Sequence, residues 1–217
     1  MATNPTGTVF IVDDDASFLR SVSRLLSAVG YTVKTFESAQ EFLSRLGPEM
    51  SGCVVADLQM PGMNGLELQK ALKLSANPLP VIFLTGQGDI PTTVIAMRGG
   101  AVDFLVKRAP KEDLLAAVGR AMERGAKERQ QRERLQDLRS RFDQLSEREL
   151  EVLARVVQGW MNKQIASDLN IIERTVKLHR TNLTRKLGVQ SVAELTRLTD
   201  EAGLFKPQKD IPTSPSP

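Results

Sequence analysis

The chain has 217 residues, 41% of them apolar and 25% charged, with a formal net charge of +3. That length accommodates one large domain or two small ones, and the composition is that of a water-soluble protein. No apolar run reaches the ~20 residues that a bilayer span requires, "MATNPTGTV" lacks the layout of a signal peptide, and the single cysteine, Cys53, excludes an internal disulfide and a cysteine-rich metal site.

Five β-type runs recur in the first 107 residues: "TVFIV" (8–12), "YTVKTF" (31–36), "CVVA" (53–56), "VIFLT" (81–85) and "VDFLV" (102–106). Helical patterns lie between them. One places Phe18, Val22, Leu25, Leu26 and Val29 on a single face before Gly30, and Ser38 is suited to cap a helix over 39–46. A last one opens at Pro110 and carries Leu114, Leu115, Val118 and Met122. Alternation of this kind predicts βαβ units, a parallel sheet and helices on both of its faces. Cys53, with apolar neighbours, reads as a small buried hydrophobe.

The strand ends carry the chemistry. The first run is followed by Asp13, Asp14 and Asp15, the third by Asp57, the fourth ends on Thr85, and the fifth is followed by Lys107. Ligands of open α/β sheets bind beyond the carboxyl ends of the strands, so these groups meet at one rim. Clustered carboxylates raise each other's pKa unless a cation joins them. Oxygen donors without histidine or sulfur suit a hard ion such as Mg²⁺. A carboxylate can also attack a phosphoryl group, whose oxygens then need a metal, a hydroxyl and a positive charge. The plainer alternative is a set of polar strand ends with no chemistry.

"FIVDDD", "ADLQMPGMNG", "LTGQGD" and "DFLVK" resemble the signatures of receiver domains of bacterial two-component response regulators, and "TGQGDIPTTVIAMRGGAVDF" is similar to the FixJ branch. The resemblance spans about residues 7–125 and implies a flavodoxin-like fold. It implies Asp57 as phosphoacceptor. Mg²⁺ would be held by Asp14, Asp57, the Gln59 backbone carbonyl and, through water, Asp13. Thr85 and Lys107 would bind the phosphoryl oxygens, and Phe104 would be the aromatic switch. One departure is the Lys107-Arg108-Ala109-Pro110 order, where the family usually has Pro directly after the lysine.

The second half differs in charge. Residues 1–118 hold 10 Lys and Arg against 12 Asp and Glu, whereas residues 119–217 hold 19 against 14. Residues 119–142 have no β signal and no proline and predict a solvated helix, with a short coiled coil as the sharper alternative. From Ser146 short helices follow one another. "LSERELEVL" opens with a capping box at Ser146 and Glu149, "NKQIASDLN" and "IIERTVKLHRTNLTRKLG" form a helix-turn-helix layout, and Ser191 starts a fourth helix. The third helix carries the basic excess. Lys163 and Thr175 suit phosphate contacts, and Lys177, Leu178 and Thr181 lie where base edges can be read. Arg174, Arg180 and Lys186 complete the expected contact set. Trp160 reads as a core anchor of this small domain, and His179 as a packing or phosphate contact.

This segment resembles the LuxR-type helix-turn-helix over about residues 142–203. That implies DNA-domain dimerisation through Val192, Leu195 and Leu198. The expected organisation is a receiver domain (7–125), a linker helix (126–141), an all-α four-helix DNA-binding domain (142–205) and a disordered Pro/Ser-rich tail (206–217). The expected protein is a cytoplasmic regulator, not an enzyme and not membrane-bound. It takes phosphate from a sensor histidine kinase and passes from monomer to homodimer, acting on promoter DNA and RNA polymerase. The alternatives are a phosphorylation-independent DNA-binding regulator and, less compatibly with Gln59, a Mg²⁺-dependent aspartyl phosphatase.

Overall fold

A computed structural model describes residues 7–86 and 89–204. The 206–217 tail and the middle of "GQGD" therefore lie outside the described residues. The chain divides into two compact units between Arg129 and Gln130.

In the first unit, strands β1 (Thr8–Val12), β2 (Thr32–Phe36), β3 (Gly52–Ala56), β4 (Val81–Thr85) and β5 (Asp103–Val106) alternate with helices α1 (Ala16–Ala28), α2 (Ala39–Ser44), α3 (Gly65–Leu74) and α4 (Ile90–Arg98). Helix α5 (Lys111–Asp143) closes the unit and runs on into the linker sequence. All strand pairs are parallel in the order β2-β1-β3-β4-β5. The order reverses direction between β1 and β3, and the crevice at such a switch point is where this architecture binds ligands.

β1, β3 and β4 are buried almost throughout because helices cover both faces. One face packs Phe10, Phe42, Leu68, Leu72 and Phe83. The other packs Val9, Ile11, Leu26, Ile82 and Val118. Cys53 is fully buried, and desolvation pushes its thiol up to about 12, so it behaves as the small hydrophobe expected. Ser38 caps α2 as expected, accepting from the Glu41 N–H.

The second unit contains α6 (Glu147–Val157), α7 (Asn162–Asp168), α8 (Glu173–Leu187) and α9 (Val192–Ala202). Val152, Leu153, Ile165, Val176, Leu183, Leu187 and Leu195 form its core, joined by the nearly fully buried Phe142 from the end of α5. The turn from α7 to α8 uses Asn170 at φ 52°, and asparagine is among the few side chains that tolerate the left-handed region. Gly188, at φ 69°, ends α8 in the same region.

Candidate functional site

The strand tips of the first unit bring the acids and the lysine together. Asp13 and Asp57 follow β1 and β3 directly, and the Asp57 N–H donates to the Val12 carbonyl at 2.9 Å, which fixes the two tips side by side. The Lys107 N–H donates to the Thr85 carbonyl at 2.7 Å, so its side chain starts beside β4. From there the ammonium reaches Asp13 Oδ2 at 2.7 Å and Asp57 Oδ2 at 2.8 Å. Asp13 and Asp57 are only 1% and 7% exposed, so this is a partly dry site.

Burial raises the Asp13 carboxyl above its ordinary pKa, and the Lys107 hydrogen bond only partly offsets it. Burial works against the Lys107 ammonium too, but its bonds to Asp13 and Asp57 win and hold its pKa above the ordinary lysine value. Asp13 Oδ1 also accepts from the Asp15 N–H at 2.9 Å, and Asp57 Oδ1 from the Gln59 N–H at 3.3 Å. Asp14 is exposed at the mouth and lines a surface cleft with Gln59, Met60 and Asn64.

Carboxylate oxygens of Asp13, Asp14 and Asp57 all lie within 4.8 Å of one another. An octahedral Mg²⁺ shell places neighbouring oxygens about 3 Å apart and opposite ones about 4 Å apart. The all-oxygen donor set is of the kind a hard divalent ion takes, with Asp14 open toward solvent. Thr85 is 1% exposed at the end of β4. Phe104 is half-buried on β5, pairs in register with Phe83, and their ring centroids are 6.3 Å apart.

One neighbour of Asp57 leaves no slack. The Gly65 N–H donates to the Leu58 carbonyl, and a Cβ at Gly65 would lie 2.4 Å from the Asp57 carbonyl oxygen and 2.9 Å from the Phe83 ring.

In the second unit α8 presents Arg174, Lys177, Leu178 and Thr181 to solvent while Val176, Leu183 and Leu187 face inward. Lys163, near the start of α7, is exposed, and Thr175 is half-buried near the start of α8. Arg180 donates to Asn162 Oδ1 at 2.9 Å, linking the two helices. His179 is half-buried.

Three expectations are corrected here. Lys186 is held by the Gln144 carbonyl at 3.0 Å and by Glu149 Oε2 at 2.7 Å, so its ammonium is engaged in the domain's own packing. Leu195 is 1% exposed and points into the core, which removes it from any dimer surface; Val192 is exposed and Leu198 half-buried. Trp160 is 37% exposed beyond the end of α6 and is no core anchor.

The sequence reading also missed two features. Phe18 places its ring 4.4 Å from Lys107 Nζ. Glu149, read as half of a capping box, is additionally a buried partner for Lys186. Only pairing across the fold reveals either one.

Comparison with known proteins places both units. The family model "Response regulator receiver domain" matches residues 9–119, and "Bacterial regulatory proteins, luxR family" matches residues 143–199. The fold and site thus define a receiver domain followed by a helix-turn-helix DNA-binding domain. Response regulator protein TmoT of Ectopseudomonas mendocina is 41% identical over 192 residues, covering 88% of this chain and 87% of that one. Transcriptional regulatory protein FixJ of Rhizobium meliloti (strain 1021) is 40% identical over 200 residues, covering 92% and 98%. Among solved structures, that of the response regulator StyR aligns with a TM-score of 0.80 and 44% identity over 91% of this chain and 100% of that one. The chain belongs to the two-component response regulators that couple a receiver domain to a LuxR-type DNA-binding domain. Among the described residues no helix is long and apolar enough to cross a membrane.

Proposed function

We propose that this chain is a phosphorylation-activated, sequence-specific transcription regulator whose Asp57 accepts a phosphoryl group from a sensor histidine kinase in the cytoplasm. The observation that carries this reading is the rim cluster: three carboxylates within 4.8 Å of one another, with one ammonium bridging Asp13 and Asp57. A carboxylate oxygen of Asp57 attacks phosphorus, and the P–N bond of the donor phosphohistidine breaks with its electron pair left on the imidazole. Asp14, Asp57, the Gln59 carbonyl and, through water, Asp13 would hold Mg²⁺, which when bound supplies positive charge against the phosphoryl oxygens. Lys107 then exchanges its bond to Asp57 Oδ2 for a phosphoryl oxygen, and the Thr85 hydroxyl donates to another.

Movement of Thr85 frees space that the Phe104 ring can enter. Phosphorylation shifts the receiver population only through its different affinity for the two arrangements. The favoured arrangement dimerises and delivers two DNA-binding domains, each 142–205, to half-sites about one helical turn apart. Lys163, Arg174, Thr175 and Arg180 meet phosphates, while Lys177, Leu178 and Thr181 meet base edges. Val192 and Leu198 contribute the DNA-domain dimer contact, and RNA polymerase is the downstream partner.

The test is intact mass and oligomeric state after incubation with Mg²⁺ and acetyl phosphate. Wild type gains one phosphoryl group and dimerises; Asp57→Asn does neither. Equal dimerisation of the two proteins would overturn phosphate-dependent activation in favour of a phosphorylation-independent regulator.

A further inference from the structure

Lys107 has a third partner that carries no charge. An ammonium has three N–H donors, and two of them are used on Asp13 at 2.7 Å and Asp57 at 2.8 Å. On its remaining side lies the Phe18 ring, whose centroid is 4.4 Å from Nζ. That is well inside the ~6 Å range over which a cation is attracted to the negative face of an aromatic ring.

The ring's position is set by the same acid run. The Asp13 carboxylate accepts from the Asp15 N–H, and the Asp15 carboxylate caps α1 by accepting from the N–H groups of Ser17 at 2.8 Å and Phe18 at 3.1 Å. A continuous set of short contacts therefore runs from the reactive rim to the first turn of α1 and back to the ammonium through the ring. With the Lys107 side chain only 19% exposed, the ring also excludes water from that side, where it would otherwise compete for the charge.

We propose that Phe18 is a positioning residue for Lys107, its ring face holding the ammonium at the rim while the lysine exchanges a carboxylate oxygen for a phosphoryl oxygen. The role rests on the phosphoacceptor reading of Asp57. Both carboxylate partners change when phosphate arrives: Asp57 becomes an acyl phosphate, and Asp13 stands beside the incoming charge. The ring does not change. It gives the lysine a fixed reference through the exchange, so less of its side-chain freedom must be lost in the transition state.

The test separates contact from consequence. In the unphosphorylated full chain, the side-chain ε-methylene protons of Lys107 should show an upfield ring-current shift by NMR, kept in Phe18→Tyr and lost in Phe18→Leu. In parallel, Phe18 is replaced by phenylalanines carrying one, two or three ring fluorines, which preserve shape while weakening the negative ring face. The rate of Asp57 labelling by acetyl phosphate should fall stepwise along that series, by roughly threefold to tenfold at its end, the size of a partly desolvated cation–π contact. Phe18→Leu should be at least as slow, and Phe18→Tyr close to wild type. No ring-current shift in wild type, or a flat rate across the fluorinated series, overturns the proposal. A wild type that shows the shift but takes no phosphoryl group fails the phosphoacceptor reading, and the positioning role falls with it.

Discussion

Lys107 and Lys186 each bring one ammonium to a buried carboxylate, yet the balance of charge differs between the two places. At the rim one lysine faces Asp13 and Asp57, with Asp14 close by, so negative charge is in excess. In the helical unit Lys186 pairs with one carboxylate, Glu149. That carboxylate is 4% exposed and accepts from the Ser146 N–H at 2.9 Å and the Ser146 hydroxyl at 3.2 Å. The pKa directions follow. Burial pushes both carboxyls up; at Asp13 it prevails, whereas at Glu149 the Lys186 and Ser146 hydrogen bonds more than reverse it. A charge-balanced pair holds a domain together, and a cluster with excess negative charge is poised to recruit a cation. The same two residue types serve structure in one unit and chemistry in the other.

Three experiments can break or sharpen this contrast. The largest effect is expected from Glu149→Ala, which removes both a helix cap and the partner of Lys186. It should destabilise the helical unit by about 2–3 kcal/mol, read as lost hydrogen-exchange protection in α6 and α8 of the full chain. A loss below a few tenths of a kcal/mol would mean the pair is ornamental.

Asp13→Asn should act in the opposite direction and by less. Removing one of the crowded charges should stabilise the receiver unit by about 1 kcal/mol while sharply slowing phosphoryl labelling, the trade expected where function requires strain. Protection of β1 and β3 against exchange reports the first effect and intact mass the second. Destabilisation would show that the rim is balanced in the way the Glu149 pair is.

The smallest effect is the pH response of the metal-free protein. Glu149 has a depressed pKa in the folded state, so its contribution is present above its ordinary value of 4.5 and is lost as pH falls through the lower folded value. Asp13 has a raised pKa, so lowering the pH through that value relieves a cost in the receiver unit. Exchange protection measured down the acid range should therefore contain terms of opposite sign in the two units, removed one at a time by Glu149→Gln and Asp13→Asn. Identical acid profiles before and after each substitution would count against these assignments.

The sheet, its strand tips and the Asp13–Asp14–Asp57–Lys107 set were legible because short apolar β-type runs and the charges that close them are local signals. The helix starts at Ser38, Ser146 and Ser191 were legible for the same reason, since a cap is written within four residues. What failed was direction around a helix in a small domain. Val192, Leu195 and Leu198 follow one another at helical spacing, but only Leu195 is nearly fully buried, because α9 turns that position into the domain's core. Lys186 looked like one more cation of a basic helix, and its partner lies 37 residues earlier in the chain. Trp160 misled because a large aromatic was read as core from type alone, while the chain had already turned outward after Val157.

The contact at Gly65 has a consequence for how this architecture can diverge. With 2.4 Å between a would-be Cβ and the Asp57 carbonyl oxygen, any side chain there must displace either the backbone that carries the reactive carboxylate or the start of α3. Position 65 is thus held to glycine by the backbone of Asp57, although it carries no functional group of its own.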